Sequence, residues 1–391
     1  MKKIRCNLRY LMEKRELSQY QLAKETGLSI NAIGRLYKEE FDRIDCNTAE
    51  VLCNYFNCDL CKLFPLETAF SNRITDSEFR KRYADGERDF SEVDLSKVDL
   101  SGLSFQDLNL TGAILRQVIF RNINLINANL DKADLTEADL EGAILEKVSL
   151  NTAKLNKANL KAAQLTYVEL KDAELGEVLL QNSKFHWSDL NGAILTAAKL
   201  NNAQIVRGNF EKADLTNAEL RNVDLKWTDL REVKLGSSDL SGAKVEASCL
   251  IGADLRNANL NNACFSLTDL TFANLSHADL IRTKFDDTNL SYANLSLTNL
   301  TLTILNQASL VNANLKDCNL GGCNLSGVNL SYADLTSVNL RNATLKGAKL
   351  SHAKLKFTDL RYADLLNTDL SSTNLDDAYL EGATMPDGNI S

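Results

Sequence analysis

Proline, histidine and tryptophan are scarce in this chain: two, three and two residues in 391. Each scarcity excludes something. Both prolines, Pro65 and Pro386, lie outside a repeat that fills most of the chain, so no proline removes a hydrogen-bond donor from a ladder built by that repeat. The histidines, His186, His277 and His352, fall at outward positions of the same repeat. With no pocket to gather them and no nucleophile beside them, they form no catalytic constellation, so neither an enzyme nor a cofactor is expected. No apolar run reaches the roughly 18 residues of a membrane-spanning helix. The start, Met1 to Arg15, lacks the apolar core of a secretory signal. A cytoplasmic protein with its nine cysteines reduced is expected. Excess positive charge is also lacking. The net charge is −8, divided as +2 over residues 1–85 and −10 over residues 86–391. The acidic part is not a nucleic-acid binder by charge, because neutralising phosphates requires clustered cations.

What is present is a period. From Leu95 to Ile390 every fifth residue is large and apolar, and the frame never slips. Two residues before each stands a small or β-branched residue, nearly always Ala, Val, Thr, Ser or Cys; Leu103, Leu108 and Ile123 are exceptions near the beginning. A helix rotates positions five apart by about 140° and gains no apolar stripe from this spacing. A strand requires a period of two. A fixed long-range period means a solenoid, in which each unit buries its apolar side chains by stacking on its neighbours. Most of the substitutions of the regular Leu fall at one spacing and count the sides. Phe105, Phe185, Ile205, Val245, Phe265, Phe285 and Met385 all differ by multiples of twenty, so one coil is four five-residue sides. About fifteen coils at about 4.8 Å each predict a rod of about 70 Å.

The motif A-(D/N)-L-x-x, carried by Ala133-Asp134-Leu135, Ala138-Asp139-Leu140, Ala253-Asp254-Leu255 and Ala333-Asp334-Leu335, resembles that of the pentapeptide-repeat family. The resemblance covers about three quarters of the chain. It implies an all-β fold, a right-handed quadrilateral β-helix; the handedness comes from the family and not from the spacing.

Residues 1–85 have another texture, with apolar positions at helical spacing. Ser18 is placed to cap a helix over Gln19–Thr26 that Gly27 ends. Ser29 is placed to cap Ile30–Tyr37, and Asn47 or Thr48 a helix with Glu50 in its first turn. Asp76–Ala84 reads as a short helix covering the open first coil, since terminal units of a repeat need a polar cap. The helix, Gly27, helix arrangement is that of a helix-turn-helix. The segment from Ile4 through Leu17-Ser18-Gln19, Thr26-Gly27-Leu28-Ser29, Ile33 and Arg35-Leu36-Tyr37 to Asp45 resembles small Cro-repressor-like (XRE-type) regulators. The expected organisation is therefore an all-α helix-turn-helix domain over 1–67, a linker with a capping helix over 68–89 and the β-helix over 90–391.

The resemblance implies that Ile30 to Lys38 is the recognition helix. Asn31 and Arg35, four apart on one face, would meet the major groove, Asn suiting adenine and Arg guanine. Gln19, Ser29 and Lys38 would touch phosphates. The alternative is a helical domain retained for protein contact, because Glu39, Glu40 and Asp42 follow the recognition helix directly. Cys46, Cys53, Cys58 and Cys61 form a cluster with a C-x-x-C at its end. Zinc needs a second pair that is missing, and Cys53 and Cys58 fall where related regulators carry buried small apolar residues, so no metal is assigned. Cys318 and Cys323 occupy inward positions, and Cys249 and Cys264 outward ones.

On the rod, Tyr167, Trp187, Arg207 and Trp227 are twenty apart and should stack in one outward column containing both tryptophans. These are residue types enriched at interface hot spots, and Arg between two Trp favours cation–π contact. Stacked aromatics can equally serve to stabilise adjacent coils. Phe272, Tyr292, Tyr332 and His352 make a second column. The expected function is a DNA-binding transcriptional regulator whose rod mediates contact with an unknown protein or homodimerisation. The alternatives are a DNA-mimic topoisomerase-binding protein and a pure protein-interaction scaffold. DNA mimicry fits poorly, because the negative charge is sparse beside a duplex and is interrupted by Lys184, Lys199, Arg207, Lys226 and Lys234.

Overall fold

The computed structural model describes residues 6–15, 17–38, 40–41, 43–64 and 72–391. Ile4, Glu39, Asp42, Pro65 and the expected boundary between 67 and 68 lie outside these residues. The chain forms two compact units, Met1–Ile74 and Thr75–Ser391.

The first unit is helical: α1 (Leu8–Lys14), α2 (Gln19–Thr26), α3 (Ile30–Tyr37), α4 (Cys46–Phe56) and α5 (Leu60–Leu63). Local chemistry places the ends. The Ser18 hydroxyl accepts the Gln21 N–H at 3.2 Å, and the Gln21 side chain accepts the Ser18 N–H at 2.9 Å, forming a reciprocal cap. Gly27 ends α2 at φ 72°, and its N–H donates to the Ala23 carbonyl. The Ser29 hydroxyl accepts the Ala32 N–H at 3.1 Å and starts α3. The cap of α4 differs from the expectation of Asn47 or Thr48. It is Asp45, whose two carboxylate oxygens accept the Thr48 N–H at 2.8 Å and the Thr48 hydroxyl at 2.6 Å. A charged two-oxygen acceptor satisfies both donors at once, and Glu50 consequently lies beyond the first turn. Those bonds hold the Asp45 carboxyl below its usual range. Leu8, Met12, Leu22, Ile33, Leu36 and Leu52 form the centre of the core.

The second unit begins with α6 (Asp76–Ala84) and continues as a four-sided parallel solenoid. Every parallel ladder runs from residue i to residue i+20. The four start at Asp89↔Asn109, Asp94↔Ile114, Asp99↔Ile119 and Ser104↔Asn124. On the fourth side, β1 (Ser104–Gln106), β2 (Asn124–Ile126), β3 (Ile144–Glu146), β4 (Gln164–Thr166), β5 (Lys184–His186) and β6 (Gln204–Val206) pair in sequence order. Elsewhere single bridges carry the ladder as far as Asp364↔Thr384.

The five-residue unit explains this economy. Leu130 donates its N–H to the Ser149 carbonyl at 2.7 Å, Ser149 donates to Ala128 at 2.9 Å, and Ala133 closes the corner by donating to Leu130 at 3.0 Å. Backbone groups are thus paired without long strands. The second residue after nearly every large apolar one turns the corner with positive φ, 61° at Lys132 and 69° at Gly192. At Gly192 a Cβ would stand 2.3 Å from the Asp172 carboxylate in the preceding coil, so any larger residue there displaces that side chain. Leu and Ala ladders fill the interior. Inward Ser, Thr and Cys are accommodated because each finds a carbonyl. The Thr288 hydroxyl donates to Phe265 at 2.7 Å and the Cys318 thiol to Leu295 at 2.8 Å. Burial pushes the Cys318 and Cys323 thiols up.

α6 closes the first coil. Phe79 is fully buried, with its ring 4.5 Å from Phe90 and 5.3 Å from Phe105. The Tyr83 hydroxyl accepts the Gln106 N–H at 2.9 Å, and Arg80 donates to the Asp99 carbonyl at 3.3 Å.

Candidate nucleic-acid interface and exposed aromatic column

α3 is amphipathic: Ile33 and Leu36 are buried in the core, and Asn31 and Arg35 are exposed on the opposite side. Lys38 is the exposed C-cap. Ser29 uses its oxygen to cap α3 and keeps its own O–H as a donor. Gln19 is half-buried at the crossing of α2 on α3. Its side-chain oxygen lies 3.4 Å from where a Cβ would stand on Gly34, so a small residue there lets the two helices approach.

Arg35 is held in place by a group that no residue-type pattern reveals. Its Nε donates to the backbone carbonyl of Glu40 at 3.1 Å, while the Glu40 N–H donates to the Arg35 carbonyl at 2.8 Å. Among the described residues no hydrogen bond is made by its two terminal nitrogens, the pair that a bidentate contact uses. Arg35 also lines an open depression of about 600 Å³ with Arg43, Ile44 and Asp45, which brings a second guanidinium near the exposed face of α3. Arg43 belongs to the segment that carries the resemblance to Cro-repressor-like regulators, but it is not among the expected DNA contacts.

The cysteine cluster is dispersed in environment. Cys46 is exposed; Cys53 and Cys58 are half-buried against the hydrophobic core, and burial raises the Cys53 thiol. The Cys61 side chain lies outside the described residues. Among the described residues no three His, Cys, Asp or Glu side chains are placed to share a metal ion. No described helix is long and apolar enough to cross a membrane.

On the rod, the predicted column is assembled. Tyr167, Trp187 and Trp227 are 51%, 50% and 57% exposed. The Tyr167 and Trp187 rings are stacked at 6.4 Å, and the Arg207 guanidinium lies between the tryptophans, 4.5 Å from Trp187 and 5.7 Å from Trp227. All four residues occupy corners, with φ between 55° and 59°. That region disfavours bulky residues by about 1–2 kcal/mol. The same corner position elsewhere is often Asn or Gly, as at Asn127 and Gly327. In the second column Phe272 stacks on Tyr292 at 4.9 Å, and Tyr332 on His352 at 4.6 Å.

Known proteins agree with both units. Residues 7–68 match the Cro/C1-type HTH DNA-binding domain. Segments between 88 and 385 match pentapeptide repeats. No curated protein matches the chain. Similar solved structures include HetL, a pentapeptide repeat protein involved in heterocyst differentiation regulation from the cyanobacterium Nostoc sp. Strain PCC 7120. It is 27% identical over 81% of this chain and 100% of its own, with a TM-score of 0.21. QnrB1, a plasmid-mediated fluoroquinolone resistance protein, is 18% identical over 51% of this chain and 90% of its own, with a TM-score of 0.30. A pentapeptide repeat protein of the Arabidopsis thaliana thylakoid lumen is 30% identical over 24% of this chain and 65% of its own, with a TM-score of 0.14. The unbroken frame, the i to i+20 ladders and the match across most of the chain together mean that it belongs to the pentapeptide-repeat family, with a Cro/C1-type helix-turn-helix domain at its N-terminus.

Proposed function

We propose that this chain is a cytoplasmic, non-enzymatic transcriptional regulator. Its helical unit binds operator DNA, and its rod mediates protein interaction or dimerisation. The observation that carries the reading is the exposed Asn31 and Arg35 strip of α3, with Arg35 tethered through Nε to the Glu40 carbonyl. An exposed guanidinium suits the O6 and N7 edge of guanine, and an Asn one turn away suits adenine. Gln19, Ser29 and Lys38 flank that strip as phosphate contacts. Dimeric binding belongs to this reading, because operators of this motif pair half-sites about 34 Å apart. On a duplex selected by the full chain, Arg35→Ala or Asn31→Ala should each cost about 1–3 kcal/mol and relax one base pair. A uniform loss over all sequences would instead assign these residues to phosphate contact.

Partner binding by the rod is assigned to Tyr167, Trp187, Arg207 and Trp227. The energetics separate this role from a stabilising one. Replacing Trp187 and Trp227 by Asn forfeits exposed stacking and cation–π contacts of about 0.5–1 kcal/mol each. It also relieves a comparable backbone cost at two left-handed corners. The double variant should therefore melt almost as the parent does while losing a bound protein or self-association. A clear drop in melting temperature with every partner retained makes the column structural.

DNA mimicry is a separate test. Lys199 pairs with Glu219 at 3.6 Å, Lys226 with Glu246 at 3.1 Å and Lys234 with Asp214 at 3.7 Å, each across one coil. Carboxylates neutralised along the rod do not present the dense charge of a duplex. The rod should leave DNA gyrase supercoiling unaffected at stoichiometric amounts; inhibition at submicromolar protein favours the topoisomerase reading.

A further inference from the structure

Within α3 three side chains are exposed: Ile30, Asn31 and Arg35. Two of them are polar and suited to base edges. The third is apolar, β-branched and 49% exposed. Helix stability does not account for it. Ile is a weaker helix former than straight-chain residues, and the first turn favours an acidic side chain against the helix dipole. Packing does not account for it either, since the core contacts of α3 are made by Ile33 and Leu36 on the other side. Ile30 follows directly on the Ser29 cap, at the end of the helix from which this motif contacts base edges. The major groove offers one apolar feature among its donors and acceptors, the 5-methyl group of thymine.

We propose that Ile30 reads a thymine methyl group adjacent to the base contacted by Asn31, so that α3 carries three specificity residues. This rests on the DNA-binding reading above. Its role is separable because deoxyuridine differs from thymine by that methyl alone and keeps every hydrogen-bonding group.

The test uses the full chain and a duplex it enriches from a random library, with each thymine replaced in turn by deoxyuridine. One replacement should weaken binding about fourfold, which is about 0.8 kcal/mol, the worth of one methyl group removed from water. Ile30→Ala should bind the thymine and deoxyuridine duplexes equally, and bind the deoxyuridine duplex as tightly as the parent does. Ile30→Val, which keeps a branched methyl, should retain most of the discrimination. Enrichment of a motif in which no deoxyuridine replacement matters, or an Ile30→Ala protein that still discriminates, overturns this inference and leaves the regulator reading standing. Failure to enrich any duplex overturns both.

Discussion

Ala253→Leu should unfold or distort the rod. Ala253 is fully buried, its N–H donates to the Leu250 carbonyl at 3.0 Å, and its own carbonyl accepts from Asn274 at 2.8 Å. The backbone is fixed on both sides, so the three extra carbons cannot be accommodated by a shift. Overpacking costs about 1–3 kcal/mol where neighbours can yield, and here each neighbour belongs to a ladder repeated along the axis. Leu255→Ala should cost about 2–5 kcal/mol through the cavity it leaves. Asp254 lies between these two residues and faces out, and its side chain keeps 28% exposure. It accepts the Arg256 N–H and pairs with the Arg256 guanidinium at 2.6 Å. An exposed pair contributes about 0–1 kcal/mol, and Asn retains an oxygen for the backbone bond, so Asp254→Asn should be nearly neutral. Thermal melts of the three variants decide the matter. Equal damage from Asp254→Asn and Ala253→Leu makes the inward and outward assignment wrong.

Phe79→Ala should open the first coil. The Phe79 ring is packed against Phe90 and Phe105, and deleting a buried aromatic ring costs about 3–5 kcal/mol. In a solenoid this loss falls on one end, because each coil contacts only its neighbours. Two effects are expected together: a lower melting temperature and concentration-dependent association, as apolar side chains and ladder groups near Phe90 become available to other chains. Phe79→Leu should largely restore both. Melting combined with sedimentation at several concentrations reads the result. An unchanged melt in Phe79→Ala shows that α6 does not hold the first coil.

The rod could be read from residue types because its geometry is periodic. Leu every fifth residue, a small residue two before it, and Phe recurring at twenty carry the number of sides without any tertiary information. The helices of the first unit were legible for a local reason, since Ser18, Gly27 and Ser29 each act within four residues of themselves. The cap of α4 was not. Asp45, Asn47 and Thr48 are all competent caps, and the direction from which the chain enters the helix chooses among them. The Arg35 tether was equally hidden, because its acceptor is the main-chain carbonyl of Glu40, which any residue supplies. The aromatic column was legible in register but not in strain. Only the structure puts its four residues at left-handed corners, and this is what makes their conformational cost part of the argument.

Enrichment of random duplexes by the full chain tests the central claim most directly. An account in which α3 presents Ile30, Asn31 and Arg35 to a major groove predicts one motif of paired half-sites with centres one helical turn apart, about 34 Å. It predicts that Arg35→Ala changes the preferred base at one position of each half-site, and that affinity falls as salt rises. Recovery of no motif, or of the same motif from a protein lacking both Asn31 and Arg35, would contradict it.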